Sequence, residues 1–189
     1  MMEAAFPNVR KRVKGPELGE FMLSIRKSGV RTEDLVFLCI GTDRSTGDSL
    51  GPLVGSMLEE AGYAQVFGTL EFPLDASNMI HRLTSLPFMQ SSKTFIAIDA
   101  CLGQSSSIAS YQVSNQPMEP GKSVGRMLPP VGNYSIAAIV NHNEGNQYAI
   151  LQGTSLYRIM TMAKEITAAI AAVFPLESEV GLTPEGELG

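Results

Sequence analysis

Two aspartates follow apolar runs of strand length, and together they could carry out acid–base chemistry. Asp48 comes after the run at 35–40 and a short polar loop, where a helix is predicted to begin, and Asp99 ends the run at 94–98. Since the carboxyl ends of parallel strands meet at one edge of a sheet, both carboxylates are predicted to lie near one crevice. Such a pair can activate water or bind a cation.

Each aspartate also has a purely structural interpretation. An acid at a helix N-terminus is favoured by free N–H groups and by the helix dipole, and Asp99 can hydrogen-bond the loop that it begins. The hypothesis of a functional site is favoured over these structural interpretations because both acids follow strands and no nearby basic residue is an obvious partner. In a partly dry crevice, mutual repulsion would keep one carboxyl protonated while the other stays ionised.

The residues around Asp48 are the candidate substrate contacts. Gly41, Thr42, Asp43 and Ser49 are predicted to line the crevice, although Asp43 could instead pair with Arg44 or be solvated. The proline- and glycine-rich segment 116–130 is expected to form a wall or lid, as long irregular connections often do. Gly47 and Gly51 are expected to permit a sharp turn from loop to helix.

Residues 47–50 spell Gly-Asp-Ser-Leu, the tetrapeptide of the GDSL serine hydrolases. That family also needs a late Asp-x-x-His to supply the base, but neither His81 nor His142 has an aspartate three positions upstream. Without an imidazole base, the hydroxyl of Ser49 is a poor nucleophile. A serine hydrolase is therefore the weaker alternative.

Composition and motifs exclude several other classes. The chain of 189 residues is 44% apolar with a formal charge of −5, which is typical of a folded domain and gives no electrostatic basis for binding nucleic acid. Glycine-rich phosphate-binding motifs are absent, and no apolar run is long enough to span a bilayer. Cys39 and Cys101 match no zinc or disulfide pattern and are expected to be reduced, in a cytoplasmic protein.

Apolar periodicity predicts alternating strands and helices. We expect a three-layer α/β/α sandwich around a mainly parallel sheet, formed by a single domain at 19–175 between a flexible arm at 1–18 and a disordered tail at 176–189. Strands are predicted at 35–40, 66–72, 93–100, 107–113 and 134–141, the last extended or paired by 148–151. Helices are predicted at 20–27, 50–61, 76–86 and 155–174.

Two long motifs, IGTDRSTGDSLGP at 40–52 and FIAIDACLG at 95–103, resemble the YyaC family of sporulation proteins. The resemblance extends through LPPVGNYSIAAIVN at 128–141 and YAILQGTSLYRIM at 148–160. It implies kinship with the germination protease of spores and, more distantly, with the hydrogenase maturation proteases. It also implies a phosphorylase/hydrolase-like fold in which Asp48 and Asp99 are the catalytic pair. No histidine matches the nickel ligand of the maturation proteases, so we expect no metal and no cofactor.

The resemblance implies a sporulation-associated peptidase that hydrolyses peptide bonds with two aspartates. The expected partners are protein or peptide substrates, such as small acid-soluble spore proteins, and further copies of the chain, but not nucleic acid or a membrane. The expected location is the cytoplasm of the sporulating cell or the spore interior. The alternative is a non-catalytic regulatory protein that keeps this fold and uses the acidic crevice to bind a peptide or a cation.

Overall fold

The longest apolar runs of the sequence form the centre of one mixed sheet in the computed structural model, which describes residues 8–85, 92–120 and 128–176. The strands of the described residues are β1 Arg10–Val13, β2 Leu35–Cys39, β3 Val66–Phe67, β4 Thr94–Gly103, β5 Ser110–Ser114 and β6 Tyr134–His142. The helices are α1 Leu18–Lys27, α2 Leu50–Glu60, α3 Met79–Thr84, α4 Gln147–Gln152 and α5 Leu156–Val173.

The sheet has the strand order β1-β5-β6-β4-β2-β3. The strands β3, β2, β4 and β6 are parallel to one another, whereas β5 pairs antiparallel with both β6 and β1. All five residues of β2 are buried, as expected for a parallel strand that is covered on both faces. The predicted α/β class with a mainly parallel sheet is therefore confirmed.

Helices flank the sheet because alternate side chains of the central strands need apolar cover on both faces. On one face, Phe37 and Ile98 belong to a core that also contains buried residues of α1, α2 and α5. On the other face, Leu38 and Ala97 pack in a second core with Met79 and other residues of the α3 region. No helix of the described residues is long and apolar enough to cross a membrane.

The flexible arm predicted at 1–18 is ordered in its second half, and this part of the prediction is wrong. Arg10–Val13 forms the edge strand β1, which pairs with β5, and the 3-10 turn Gly15–Glu17 leads into α1. Alternation could not reveal β1 because three of its four residues are exposed and basic, which is typical of an edge strand. Residues 1–7 of the predicted arm and 177–189 of the predicted tail lie outside the described residues.

Several predicted elements differ in length or type. The segment 148–151 belongs to α4 instead of a strand, because the Asn146 side chain accepts a hydrogen bond from the N–H of Ala149 (3.1 Å) and so begins a helix. The strand predicted at 66–72 is limited to β3, since Gly68 turns the chain with a φ of +95°. In contrast, β4 continues three residues past its predicted end at 100, because β6 pairs with it as far as Gly103.

Glycines bring α2 into direct contact with the end of β2. A Cβ atom on Gly51 would overlap the carbonyl oxygen of Ile40, and one on Gly55 would overlap the carbonyl oxygen of Gly68. Gly51 lies inside α2, so its role is this close approach to the strand and not the sharp turn that the sequence suggested. Gly47 likewise leaves space for Leu151 of α4.

We predict that Gly51→Ala destabilises the protein by at least about 2 kcal/mol, because the added methyl group forces α2 away from β2. The matched control is Gly19→Ala in α1, where a Cβ would meet nothing within 4 Å. This control should gain up to about 1 kcal/mol from helix propensity. Urea unfolding followed by circular dichroism measures both changes. Equal stability of the two variants would contradict the proposed role of the close approach.

Candidate functional site

A crevice of about 690 Å³ opens at the carboxyl end of β2. Both predicted catalytic residues, Asp48 and Asp99, line this crevice. Its other walls come from the loop after β2, from residues 75–77 before α3, and from residues 146–148 at the start of α4. The structure therefore brings together two acids that lie far apart in the sequence, at the sheet edge where α/β proteins commonly bind ligands.

Asp48 is held by the connection between β2 and α2. It lies in the 3-10 turn Gly47–Ser49, directly before the helix, and is partly buried. Its backbone carbonyl accepts a hydrogen bond from the N–H of Thr42 (3.1 Å), which closes the loop on itself. This closure needs Gly41, whose φ is +146° and where a Cβ would overlap the Asp48 carbonyl oxygen.

Asp99 lies in the middle of β4, and the prediction that it ends the strand is wrong. The last residue of β2, Cys39, is opposite Ile98, whereas β6 remains paired with β4 from Asp99 to Gly103. Asp99 is therefore just beyond the end of its neighbour β2, although its own strand continues. In the alternation along β4 it shares the face of Phe95 and Ala97, on the side of α3.

The four predicted substrate contacts divide into two groups. Gly41 and Thr42 line the crevice, whereas the exposed Asp43 and the buried Ser49 lie outside its lining residues. The hydroxyl of Ser49 donates a hydrogen bond to the backbone carbonyl of Thr46 (2.7 Å). This hydroxyl is therefore hydrogen-bonded within the turn, which argues against Ser49 as a nucleophile of the GDSL type.

Asp75, which the sequence did not place at the site, forms part of the crevice wall together with Arg44. Their side chains make an ion pair with an N–O distance of 3.4 Å, and Asp75 also accepts hydrogen bonds from the N–H (2.8 Å) and hydroxyl of Ser77. Burial alone would raise the pKa of Asp75, but the hydrogen bonds and Arg44 together lower it. The turn-forming residues at 75–78 were a usable signal for a structured loop, but not for its place beside Asp48.

Ser45 is another residue of the crevice wall that the sequence did not indicate. It is 7% exposed and lines the crevice, and its Oγ is the one buried side-chain polar atom of the described residues with no hydrogen-bond partner. Leaving a buried hydroxyl unpaired costs about 1–3 kcal/mol, so such an atom calls for an explanation.

The charge of the crevice is negative. Among its described lining residues, three carboxylates (Asp48, Asp75 and Asp99) face a single guanidinium, that of Arg44. In the part of the chain that the structure describes, no group of three or more His, Cys, Asp or Glu side chains could hold a metal ion.

The segment 116–130, predicted as a wall or lid, does border the site where it is described. Leu128 lines the crevice, and Met118 pairs with Val131 in an antiparallel bridge that closes the base of the segment. Residues 121–127 lie outside the described residues, so closure over the crevice stays a prediction.

A second cavity of about 550 Å³ adjoins the crevice and shares Asp99 and Ala100 with it. Arg10, Cys101 and Glu119 also line this cavity. Burial, together with the negative charge of Asp99, raises the pKa of Cys101 to about 12, against a smaller opposing effect of Arg10. Cys101 is thus a protonated thiol at neutral pH, and both cysteines are unpaired, as predicted.

We predict that Asp75→Asn lowers stability at pH 7 by about 0.5–1.5 kcal/mol, because the amide loses the ion pair and the charge-assisted hydrogen bonds. Since the pKa of Asp75 is lowered in the folded state, its contribution is complete above the unfolded pKa of about 3.9 and is lost as the pH falls below it. Urea unfolding of both proteins between pH 7 and pH 3 measures this. A stability difference that is as large at pH 3 as at pH 7 would contradict the assignment.

We also predict that iodoacetamide alkylates Cys101 at pH 8 about 10³-fold more slowly than an ordinary exposed thiol, because its pKa of about 12 leaves little thiolate. Asp99→Asn should accelerate the reaction, since it removes a negative charge that raises this pKa. Mass spectrometry of the Cys101 peptide gives both rates. The same rate in the variant would show that Asp99 does not act on the thiol.

Comparison with known proteins agrees with the resemblance to the YyaC family. The chain is 40% identical over 150 residues to the uncharacterized protein YyaC of Bacillus subtilis (strain 168), an alignment that covers 78% of this chain and 72% of that protein. No solved structure matches the chain significantly. The resemblance to YyaC is therefore confirmed, whereas kinship with the germination protease stays a prediction.

A family model described as "Protein of unknown function (DUF1256)" matches residues 10–169, which include every strand of the described sheet. The match thus covers the whole described sheet and every residue that lines the crevice, and it ends within α5. The chain belongs to this family, DUF1256.

Proposed function

We propose that the crevice at the end of β2 is the active site of a peptidase, with Asp48 and Asp99 as its acid–base pair. The observation that carries the proposal is that both acids line one crevice, whose wall also includes Gly41 and Thr42 of the loop after β2. Two carboxyls in one partly enclosed site favour a state in which one is protonated and the other ionised.

In the proposed reaction, the ionised carboxylate accepts a proton from water as its oxygen bonds to the carbonyl carbon of the peptide. The protonated carboxyl donates its proton to the carbonyl oxygen, which gives a neutral tetrahedral intermediate. When this intermediate collapses, the carboxyl that received a proton gives it to the departing amine as the C–N bond breaks, and the other carboxylate takes a proton back from a hydroxyl of the intermediate as the C=O bond re-forms. Each carboxyl thus acts once as an acid and once as a base, as in other carboxyl pairs.

The surroundings of the pair suit a polypeptide substrate. Gly41 and Thr42 form one wall of the crevice and Asn146–Tyr148 lie at another, so polar side chains and backbone groups are available to an extended chain. The net negative charge of the lining would favour a segment that carries basic residues. Asp43 is exposed beside this wall, within reach of longer substrates only.

The motif likeness described above supports the finer parts of the proposal. These are a phosphorylase/hydrolase-like arrangement of the α/β unit, a distant kinship with the germination protease, and small acid-soluble spore proteins as substrates in the sporulating cell. All of them rest on the sequence motifs around Asp48 and Asp99. The general proposal of a peptidase does not depend on them.

We predict that Asp48→Asn and Asp99→Asn each reduce kcat/KM for peptide hydrolysis by about 10²- to 10⁴-fold, because either change removes one proton-transfer group. The substrates are purified small acid-soluble spore proteins and a library of internally quenched peptides, with fragments identified by mass spectrometry. The control is Glu59→Gln, an exposed carboxylate on α2 outside the crevice, which should leave turnover unchanged. The wild-type pH profile should be bell-shaped, since one carboxyl must be protonated and one ionised.

Two results would count against the peptidase. Full activity of both asparagine variants would show that the reaction does not take place in this crevice. No turnover by the folded wild type, combined with saturable peptide or cation binding that the same variants weaken, would favour the alternative of a non-catalytic regulatory protein.

A further inference from the structure

Ser45 is held in the crevice wall by a loop that is fixed on both sides of it. Before it, the backbone N–H of Gly41 donates to the carbonyl of Leu74 (3.0 Å) and that of Thr42 donates to Asp48. After it, both the N–H (3.3 Å) and the hydroxyl of Ser49 donate to the carbonyl of Thr46. The position of Ser45 is therefore set by its neighbours and does not depend on its own side chain.

The side chains of Thr42 and Arg44, in the same loop, are both engaged. The Thr42 hydroxyl accepts hydrogen bonds from the backbone N–H and the Nε of Arg44 (both 3.4 Å), and Arg44 also reaches Asp75. Only the Ser45 hydroxyl, in this loop, lacks a partner although it is buried. A buried hydroxyl that contributes nothing to the loop would be expected to be replaced by a methyl group, so its presence points to a partner that binds in the crevice.

We infer that the hydroxyl of Ser45 donates a hydrogen bond to a backbone carbonyl oxygen of the polypeptide that occupies the crevice. This inference rests on the proposed function for the class of ligand. The lining offers carboxylate acceptors for the N–H groups of a peptide. For its carbonyl oxygens, the Ser45 hydroxyl adds a buried donor to those of Arg44 and of the side chains at 146–148. A hydroxyl moves between staggered χ1 positions at little cost, so it can turn to the ligand without a rearrangement of the loop.

The test compares Ser45→Ala with Ser49→Ala, since these serines lie in the same loop and differ in whether the hydroxyl is paired. Removing an unpaired buried hydroxyl should leave the urea midpoint unchanged or raise it, whereas removing the paired hydroxyl of Ser49 should lower it. A fall in the midpoint for Ser45→Ala would show that its hydroxyl supports the fold, and would overturn the inference.

The second readout is peptide binding, measured separately from turnover. Fluorescence polarisation follows intact library peptides on the Asp99→Asn protein, with and without Ser45→Ala, while kcat/KM is measured for Ser45→Ala alone. We expect about a tenfold loss in both quantities, the usual size for one lost hydrogen bond. Ser24→Ala, on α1 and outside the crevice, is the control that should change neither.

These readouts separate the inference from the proposed function. If the wild type cleaves no peptide but Ser45→Ala weakens peptide binding, the peptidase proposal fails and the role of Ser45 stands. If turnover depends on Asp48 and Asp99 but Ser45→Ala changes neither binding nor kcat/KM, the peptidase stands and the inference is overturned. If no peptide is bound or cleaved, both are overturned.

Discussion

The direct backbone contact between α2 and β2 is the constraint on which the site depends. Gly51 meets the carbonyl of Ile40, directly after β2, and Gly55 meets that of Gly68, directly after β3, so no side chain separates the helix from these strand ends. The first turn of α2 therefore lies directly against the end of β2, and this contact places Asp48 at the crevice. A helix packed at the usual side-chain distance would carry this carboxylate away from Asp99. The position of one candidate catalytic group is thus determined by the packing of the core.

The position of Asp99 arises from a different cause, the unequal length of neighbouring strands. Because β2 stops at Cys39 while β4 and β6 continue together, a polar residue in the middle of β4 becomes accessible on one side only. Parallel strands of equal length would have buried it. The adjoining cavity reaches Asp99 from the opposite direction, over β6, β5 and β1, so that one carboxylate borders both spaces.

Local patterns in the sequence predicted the elements whose side chains are buried, and failed where pairing is long-range or polar. The strand β2 and the helix α5 follow directly from apolar runs and periodicity. In contrast, β1 forms only because β5 supplies a partner, and the true length of β4 is set by β6. For the site, motif spacing identified Asp48 and Asp99, but Asp75 and Ser45 carried no pattern that could place them in the same crevice. Their roles depend on how the loops fold back, which is a property of the tertiary structure.

The edge strand β1 has a consequence for contacts between molecules. Its exposed side chains Arg10, Lys11 and Arg12 stand at the border of the sheet, where unpaired backbone groups would otherwise attract the edge of another molecule. Two copies that met along this border would bring their basic residues face to face, at an electrostatic cost that falls as salt screens it. Pairing of two sheets edge to edge is therefore disfavoured at β1, which favours a different surface for association between copies of this chain.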